Sequence, residues 1–241
     1  MPGFFLPAPE GRDKRGGRST IAAMPNRTAL LAGATGLVGR GILAGLLADP
    51  QVTSVHTLGR SGLPTTHPKL THHRVDLAAL PALPRVDEVY LAVGTTIKVA
   101  GNQKAFRAVD FDANLAVARA AHAAGAPRLG LVSAMGADAR SSVFYNRVKG
   151  ELEDALAALG YDGVVIARPS FLAGDRESLG QPVRSGETLA LRISTWLRPV
   201  IPANYRSIHA VDVATALLRT VPTAHGVSVL LSGAMQRDAA R

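Results

Sequence analysis

The 241-residue sequence contains no cysteine, which excludes disulfides and thiolate zinc sites from its chemistry. Aromatic residues make up only 5%, and nowhere do they interleave with basic residues as a nucleic-acid platform requires. No apolar run approaches the roughly 18 residues that a membrane-spanning helix needs. Acidic residues are scarce as well, 18 against 27 Lys and Arg, giving a formal net charge of +9. That excess is scattered, with its densest cluster between Arg12 and Arg18, so it points to a small phosphorylated ligand rather than to nucleic acid or a membrane. A secretory signal is also lacking, because the basic residues of the first segment follow its short apolar patch instead of preceding it. These absences predict a cytoplasmic protein.

What remains is a chain with 47% apolar and 19% charged residues, enough for one α/β domain with a large core. Residues 1–25 carry Pro2, Pro7, Pro9, Gly3, Gly11, Gly16 and Gly17 without period and read as a disordered extension. Met24, just before the first strand, is a candidate second translation start. Residues 26–241 read as a single domain. Strand patterns are expected near 27–32, 53–59, 70–75, 86–93, 128–133, 162–167 and 226–231, with a short one near 205–208. Helical patterns are expected near 37–48, 102–124, 142–159, 186–197 and 210–220. The strands are short apolar runs such as Val86-Asp87-Glu88-Val89-Tyr90-Leu91-Ala92-Val93, as expected when both faces are covered. Strand–helix alternation predicts an α/β, doubly wound, mostly parallel sheet, the Rossmann architecture.

Leu30-Leu31-Ala32-Gly33-Ala34-Thr35-Gly36-Leu37-Val38-Gly39 reads as a strand end, a glycine turn and a helix start. Glycines spaced three apart let the backbone turn tightly and let a pyrophosphate approach the first helical N–H groups, where the helix's positive end favours an anion. The turn assigns Gly33, Thr35, Gly36, Leu37, Val38 and Gly39 to cofactor binding. Roughly 20 residues beyond, where the second strand ends, Arg60 replaces the acidic residue that accepts from a ribose 2′-OH. An arginine there suits a 2′-phosphate, hence NADP(H), with NAD less favoured. Asp76, after the third strand, reads either as an acceptor for the adenine amino group or as a helix N-cap.

Ser133 ends the fifth strand, and Tyr145 and Lys149 follow at a spacing that puts both on one helical face. A phenol with an ordinary pKa of about 10 is a poor acid–base catalyst near neutrality, and a cation within about 4–6 Å lowers that pKa. Ser133 is placed to bind the substrate oxygen whose charge changes. No metal is required.

These blocks, with Gly94-Thr95-Thr96 and Ala167-Arg168-Pro169-Ser170-Phe171-Leu172, resemble the short-chain dehydrogenase/reductase superfamily in its atypical or extended, epimerase/dehydratase-like branch. Within it the chain is similar to HTATIP2-type oxidoreductases. The resemblance implies NADPH binding, with Tyr145 as acid–base, Lys149 holding the nicotinamide ribose, Ser133 orienting a small carbonyl or alcohol, Gly94 and Thr95 lining the cofactor, and Pro169 passing near the nicotinamide. It also implies that His209, in the late segment Ile208–Ala214, packs or caps. Three departures stand out. Val109-Asp110-Phe111-Asp112 occupies the region where relatives carry a relay asparagine, Ala134 stands where a second serine is frequent, and Ser170 stands where glycine is usual. Residues 174–196, with Arg176, Arg184, Arg192 and Trp196, are the expected substrate lid. The other readings are an NADPH-binding regulatory sensor with little turnover and a nucleotide-sugar epimerase. The alanine-rich faces of 102–124 and 142–159 allow a homodimer.

Overall fold

The computed structural model describes residues 26–173 and 202–238. The expected extension over 1–25, the helix over 186–197 and the lid over 174–196 lie outside these residues. Seven strands form one parallel sheet: β1 (Arg27–Ala32), β2 (Val52–Gly59), β3 (Leu70–Arg74), β4 (Glu88–Leu91), β5 (Arg128–Val132), β6 (Gly163–Arg168) and β9 (Gly226–Leu231). Their order is β3-β2-β1-β4-β5-β6-β9, and β7 (Leu172–Ala173) pairs with β8 (Ile208–His209) apart from the main sheet. Helices α1 (Leu37–Ala48), α2 (Ile97–Ala100), α3 (Gln103–Arg107), α4 (Asn114–Ala123), α5 (Phe144–Ala157), α6 (Ala210–Thr220) and α7 (Ser232–Asp238) complete the described chain.

Alternation of side chains along each strand divides the core into two layers. Leu31, Val55, Tyr90 and Val165 meet Ile42 and Leu46 of α1 and Val213 and Leu217 of α6 on one face. Leu30, Val89, Leu129, Leu131 and Ile166 meet Val117 and Ala121 of α4 and Leu152 and Leu156 of α5 on the other. Adjacent Leu30 and Leu31 are both fully buried because the sheet is covered on both sides, which is why its strands read as continuous apolar runs. Each such leucine contributes about 1.5–3 kcal/mol by burial.

At the amino ends of the strands a polar knot closes the sheet. Arg27 bonds Glu88 and Asp49, and the Tyr90 hydroxyl donates to Glu88 at 2.7 Å. Burial pushes the Glu88 carboxyl above its ordinary range, against the pull of Tyr90 and Arg27.

The expected elements differ from the observed ones chiefly in two places. The strand expected over 86–93 runs only over Glu88–Leu91, with Asp87 N and Ala92 N at its two ends still donating to Thr28 O and Ala32 O of β1. The helix expected over 102–124 is interrupted. A π-helical turn, Ala108–Ala113, joins α3 to α4. Such a turn loosens the carbonyl ladder, and the Asn114 amide catches the freed oxygens, donating to Val109 O at 3.3 Å and Asp110 O at 3.1 Å.

Candidate active site

In the order β3-β2-β1-β4, successive crossovers run in opposite directions from β1, so the carboxyl ends of β1 and β4 frame the crevice where open α/β sheets bind ligands. Gly33 turns out of β1 at φ +90°, and a Cβ there would lie 2.5 Å from the Ala92 backbone beyond β4. Gly39 presses α1 onto the same turn, since a Cβ on it would meet Gly33 O at 2.0 Å. Gly36 is the N-cap of α1 with no side-chain cap, and no acidic residue stands in the first turn. The helix's first N–H groups therefore face the crevice with their partial positive charge uncompensated. This is a cradle that fits a pyrophosphate, and a side chain at Gly33 or Gly39 would close it. Thr35 is exposed on the turn, Gly36 and Leu37 are half-buried, and Val38 is buried behind them.

Arg60 is exposed beyond β2, and its carbonyl accepts from Arg74 Nε at 3.0 Å. The Arg74 guanidinium therefore lies against the Arg60 backbone at the ends of β2 and β3, a second arginine that local pattern does not single out. Asp76 is exposed, and its Oδ1 accepts from the Ala78 N–H at 3.0 Å. It caps a turn of its own loop, so the helix N-cap alternative becomes a turn cap.

Beyond β4, Gly94 and Thr95 cover a buried ion pair. Lys149 Nζ lies 2.7 Å from Asp110 Oδ1, both side chains at most 5% exposed. Asp110 Oδ2 accepts from the Thr95 N–H at 2.8 Å. Asn114, fully buried, also donates to Val93 O at 3.0 Å, which ties the π turn to the end of β4. A Cβ on Gly94 would stand 3.4 Å from Asp110 Oδ1 and 3.9 Å from Lys149 Nζ, so Gly94 lies directly over the pair. Tyr145, half-buried one turn before Lys149 on α5, packs its ring against Phe106 with centroids 5.5 Å apart. Asp110 and Asn114 were not picked out as site residues in the sequence. The signal for them was the missing asparagine at 109–112, but a regular helical period hides the π turn that swings both inward.

Ser133 lies elsewhere in the hydrogen-bond pattern. It is buried, its N–H donates to Ala167 O at 2.8 Å, and its hydroxyl donates to Glu153 of α5. Arg168 grips the same carboxylate through Nε, at 3.1 Å from each oxygen, and through Nη2. The Ser133 hydrogen is thus committed to Glu153, and only an oxygen lone pair remains for a ligand. Pro169 is buried between the ends of β5 and β6, its carbonyl accepting from Met135 N at 2.9 Å. Ser170 donates to Arg206 O and lies 2.9 Å from the Ser232 hydroxyl, so the extra hydroxyl joins β6 to α7. His209, exposed, is the N-cap residue of α6 without a side-chain cap bond.

No family model matches the chain. Among solved structures it is similar to MoeE5 in complex with UDP-glucose and NAD, with a TM-score of 0.64 and 18% identity over 85% of this chain and 76% of that one. It is similar as well to a short chain dehydrogenase family protein from Francisella tularensis, with a TM-score of 0.61 and 12% identity over 87% of this chain and 99% of that one. Fold and strand order together place the molecule among the Rossmann-type α/β proteins. Among curated proteins, fmp52 of Emericella nidulans is 37% identical over 159 residues, 61% of this chain and 67% of that protein. FMP52 of Candida albicans is 37% identical over 177 residues, 69% of this chain and 75% of that protein. The chain belongs to the FMP52 family. The HTATIP2-type subgroup is not established by these similarities. Both relatives are named mitochondrial proteins, which overturns the cytoplasmic expectation. That expectation rested on a missing secretory signal and a missing membrane span, and neither bears on import into an organelle.

Proposed function

We propose that this chain is an NADPH-dependent oxidoreductase that interconverts a small carbonyl compound and its alcohol, with Tyr145 as the acid–base group. The observation that carries the reading is the buried Lys149 ammonium, held under Gly94 at the crevice between β1 and β4, one helical turn from Tyr145. The open N-terminus of α1 and the Gly33 turn supply the diphosphate cradle. Arg60, with Arg74 beside it, supplies positive charge where a 2′-phosphate would lie. The bound cofactor supplies or accepts a hydride. Tyr145 then donates a proton to the substrate oxygen in reduction and removes it in oxidation. Lys149 favours the phenolate by its charge, and its short reach past Gly94 suits a ribose hydroxyl. Ser133 offers the substrate a lone pair only, so the reading leaves the phenol as the principal hydrogen-bond donor to the substrate oxygen.

The test begins with fluorescence titration of NADPH and NADH side by side. The expected result is NADPH binding at least about tenfold tighter than NADH, as one charge-assisted contact gives. Tyr145→Phe should keep NADPH affinity within a few-fold while lowering carbonyl reduction by about 10²–10⁴. Failure of both nucleotides to bind at sub-millimolar concentration would remove the reading. An unchanged rate in Tyr145→Phe would remove Tyr145 from it.

A further inference from the structure

In the oxidoreductase reading, on which this step rests, Lys149 tunes Tyr145 as an isolated cation. The structure gives that cation a partner. We propose that Asp110 is a positioning residue that sets the pH at which Tyr145 ionises, by opposing the charge of Lys149 and holding its ammonium under Gly94.

Three observations converge on Asp110. Its carboxylate is 1% exposed, and one oxygen meets Lys149 Nζ at 2.7 Å, an ion pair one helical turn from the phenol. Its other oxygen takes the Thr95 N–H at 2.8 Å, so one side chain couples the loop beyond β4 to the lysine one helical turn from the phenol. The π turn that points Asp110 inward is itself latched by the fully buried Asn114, through bonds to Val93 O, Val109 O and Asp110 O. A regular helix over 103–123 would rotate these side chains differently, and π turns of this kind recur at functional sites.

The electrostatic consequence follows from sign alone. A cation near a phenol favours phenolate, and an anion near it disfavours phenolate. In a buried setting neither charge is screened as it would be in water. The other charged groups on these elements are already engaged or face solvent. From α3 and the π turn, Arg107 pairs with Glu151 of α5 and Asp112 is exposed. From α5, Arg147 donates to Ser141 O and Ser142 O, and Glu153 is bound to Arg168 and Ser133. Beyond β4, residues 93–97 carry no charged side chain, and Lys98 is exposed. Asp110 is therefore the negative charge paired with Lys149, one helical turn from Tyr145. It also competes with any ligand hydroxyl for the ammonium, which links ligand binding to the same pair.

The test is ultraviolet titration of the ligand-free protein, in which tyrosinate absorbance is followed with pH and Tyr145→Phe serves as the blank. Asp110→Asn keeps an acceptor for the Thr95 N–H and removes the charge. It is expected to lower the Tyr145 midpoint by about one unit and to move the pH profile of turnover toward acid by the same amount. Should Asp110→Asn not fold, Lys149→Met is compared with the double variant Asp110→Asn/Lys149→Met, in which both charges are absent. The midpoint is then expected about one unit higher in Lys149→Met than in the double variant. Equal midpoints in whichever pair is measured overturn the proposal, since a purely structural Asp110 would change stability and leave the phenol where it was. Because the phenol is titrated without cofactor, this outcome is separate from the oxidoreductase reading, which stands or falls on nicotinamide binding and on Tyr145→Phe.

Discussion

Gly39 and Gly33 meet so closely that a single methyl group has nowhere to go. A Cβ on Gly39 would lie 2.0 Å from Gly33 O, and the obstacle is backbone rather than a flexible side chain. Gly39→Ala should therefore lower the unfolding free energy by about 1–3 kcal/mol in urea denaturation and abolish nucleotide binding in the same preparation. At the other end of the crevice the positions are open and the chemistry is electrostatic. Arg60 and Arg74 are exposed, so replacing either by alanine should leave thermal stability nearly unchanged while weakening NADPH binding about tenfold or more. NADH binding should not move, and equal losses for both nucleotides would take the 2′-phosphate contact away from these arginines. Of these residues Arg60 was legible by its place after the second strand, whereas Arg74 required the β2–β3 pairing that sets Gly59 beside Arg74.

Among the elements, the helical stretch from Gln103 to Ala123 carries the consequence that sequence periodicity concealed. Its alanines, Leu115 and Val117 fit one long helix, and nothing in Val109-Asp110-Phe111-Asp112 breaks the period as proline or glycine would. The π turn is instead held by the two hydrogens of the Asn114 amide, shared among Val109 O and Asp110 O of its own turn and Val93 O across the layer. Asn114→Ala should cost about 2–4 kcal/mol, at roughly 1 kcal/mol per lost bond plus the buried carbonyls left without a donor. The variant should also bind cofactor more weakly, because Thr95 and Asp110 share the same brace. Wild-type affinity with lowered stability would confine the turn to a structural role. Helix α5 shows the complementary case. Its four-residue spacing of Tyr145 and Lys149 was readable directly, but the direction of the Ser133 hydroxyl was not. That bond depends on Glu153, two turns along α5, coming over the end of β5 together with Arg168 of β6.

The whole molecule adds a dependence on pH that no single element has. His56 on β2 lies in hydrogen-bond contact with His73 on β3, its Nδ1 3.0 Å from His73 Nε2. Burial, and then the proximity of His73, hold His56 below its ordinary pKa of 6.5. The folded state thus binds fewer protons here than the unfolded chain. The associated stability is complete above the ordinary value and is lost as the pH falls through the lowered one. Glu88 acts in the opposite sense. Its raised carboxyl pKa contributes stability below the ordinary 4.5, which is lost as the pH rises through the folded value. Urea denaturation should show stability falling as the pH drops below about 6.5, and His56→Gln should flatten that fall. A variant with the wild-type slope would place the proton uptake elsewhere.

The order of strands and helices, the glycine turn and the Tyr145–Lys149 spacing were determined by the sequence itself, because each rests on local periodicity or on backbone freedom within a few residues. The tertiary structure decided which polar groups meet. Asp110 with Lys149, Arg74 with Arg60 and Ser133 with Glu153 are separated by 39, 14 and 20 positions in the chain. Their pairing follows from strand register, from the π turn and from the approach of α5 to the sheet, and these are set by long-range burial rather than by any local pattern.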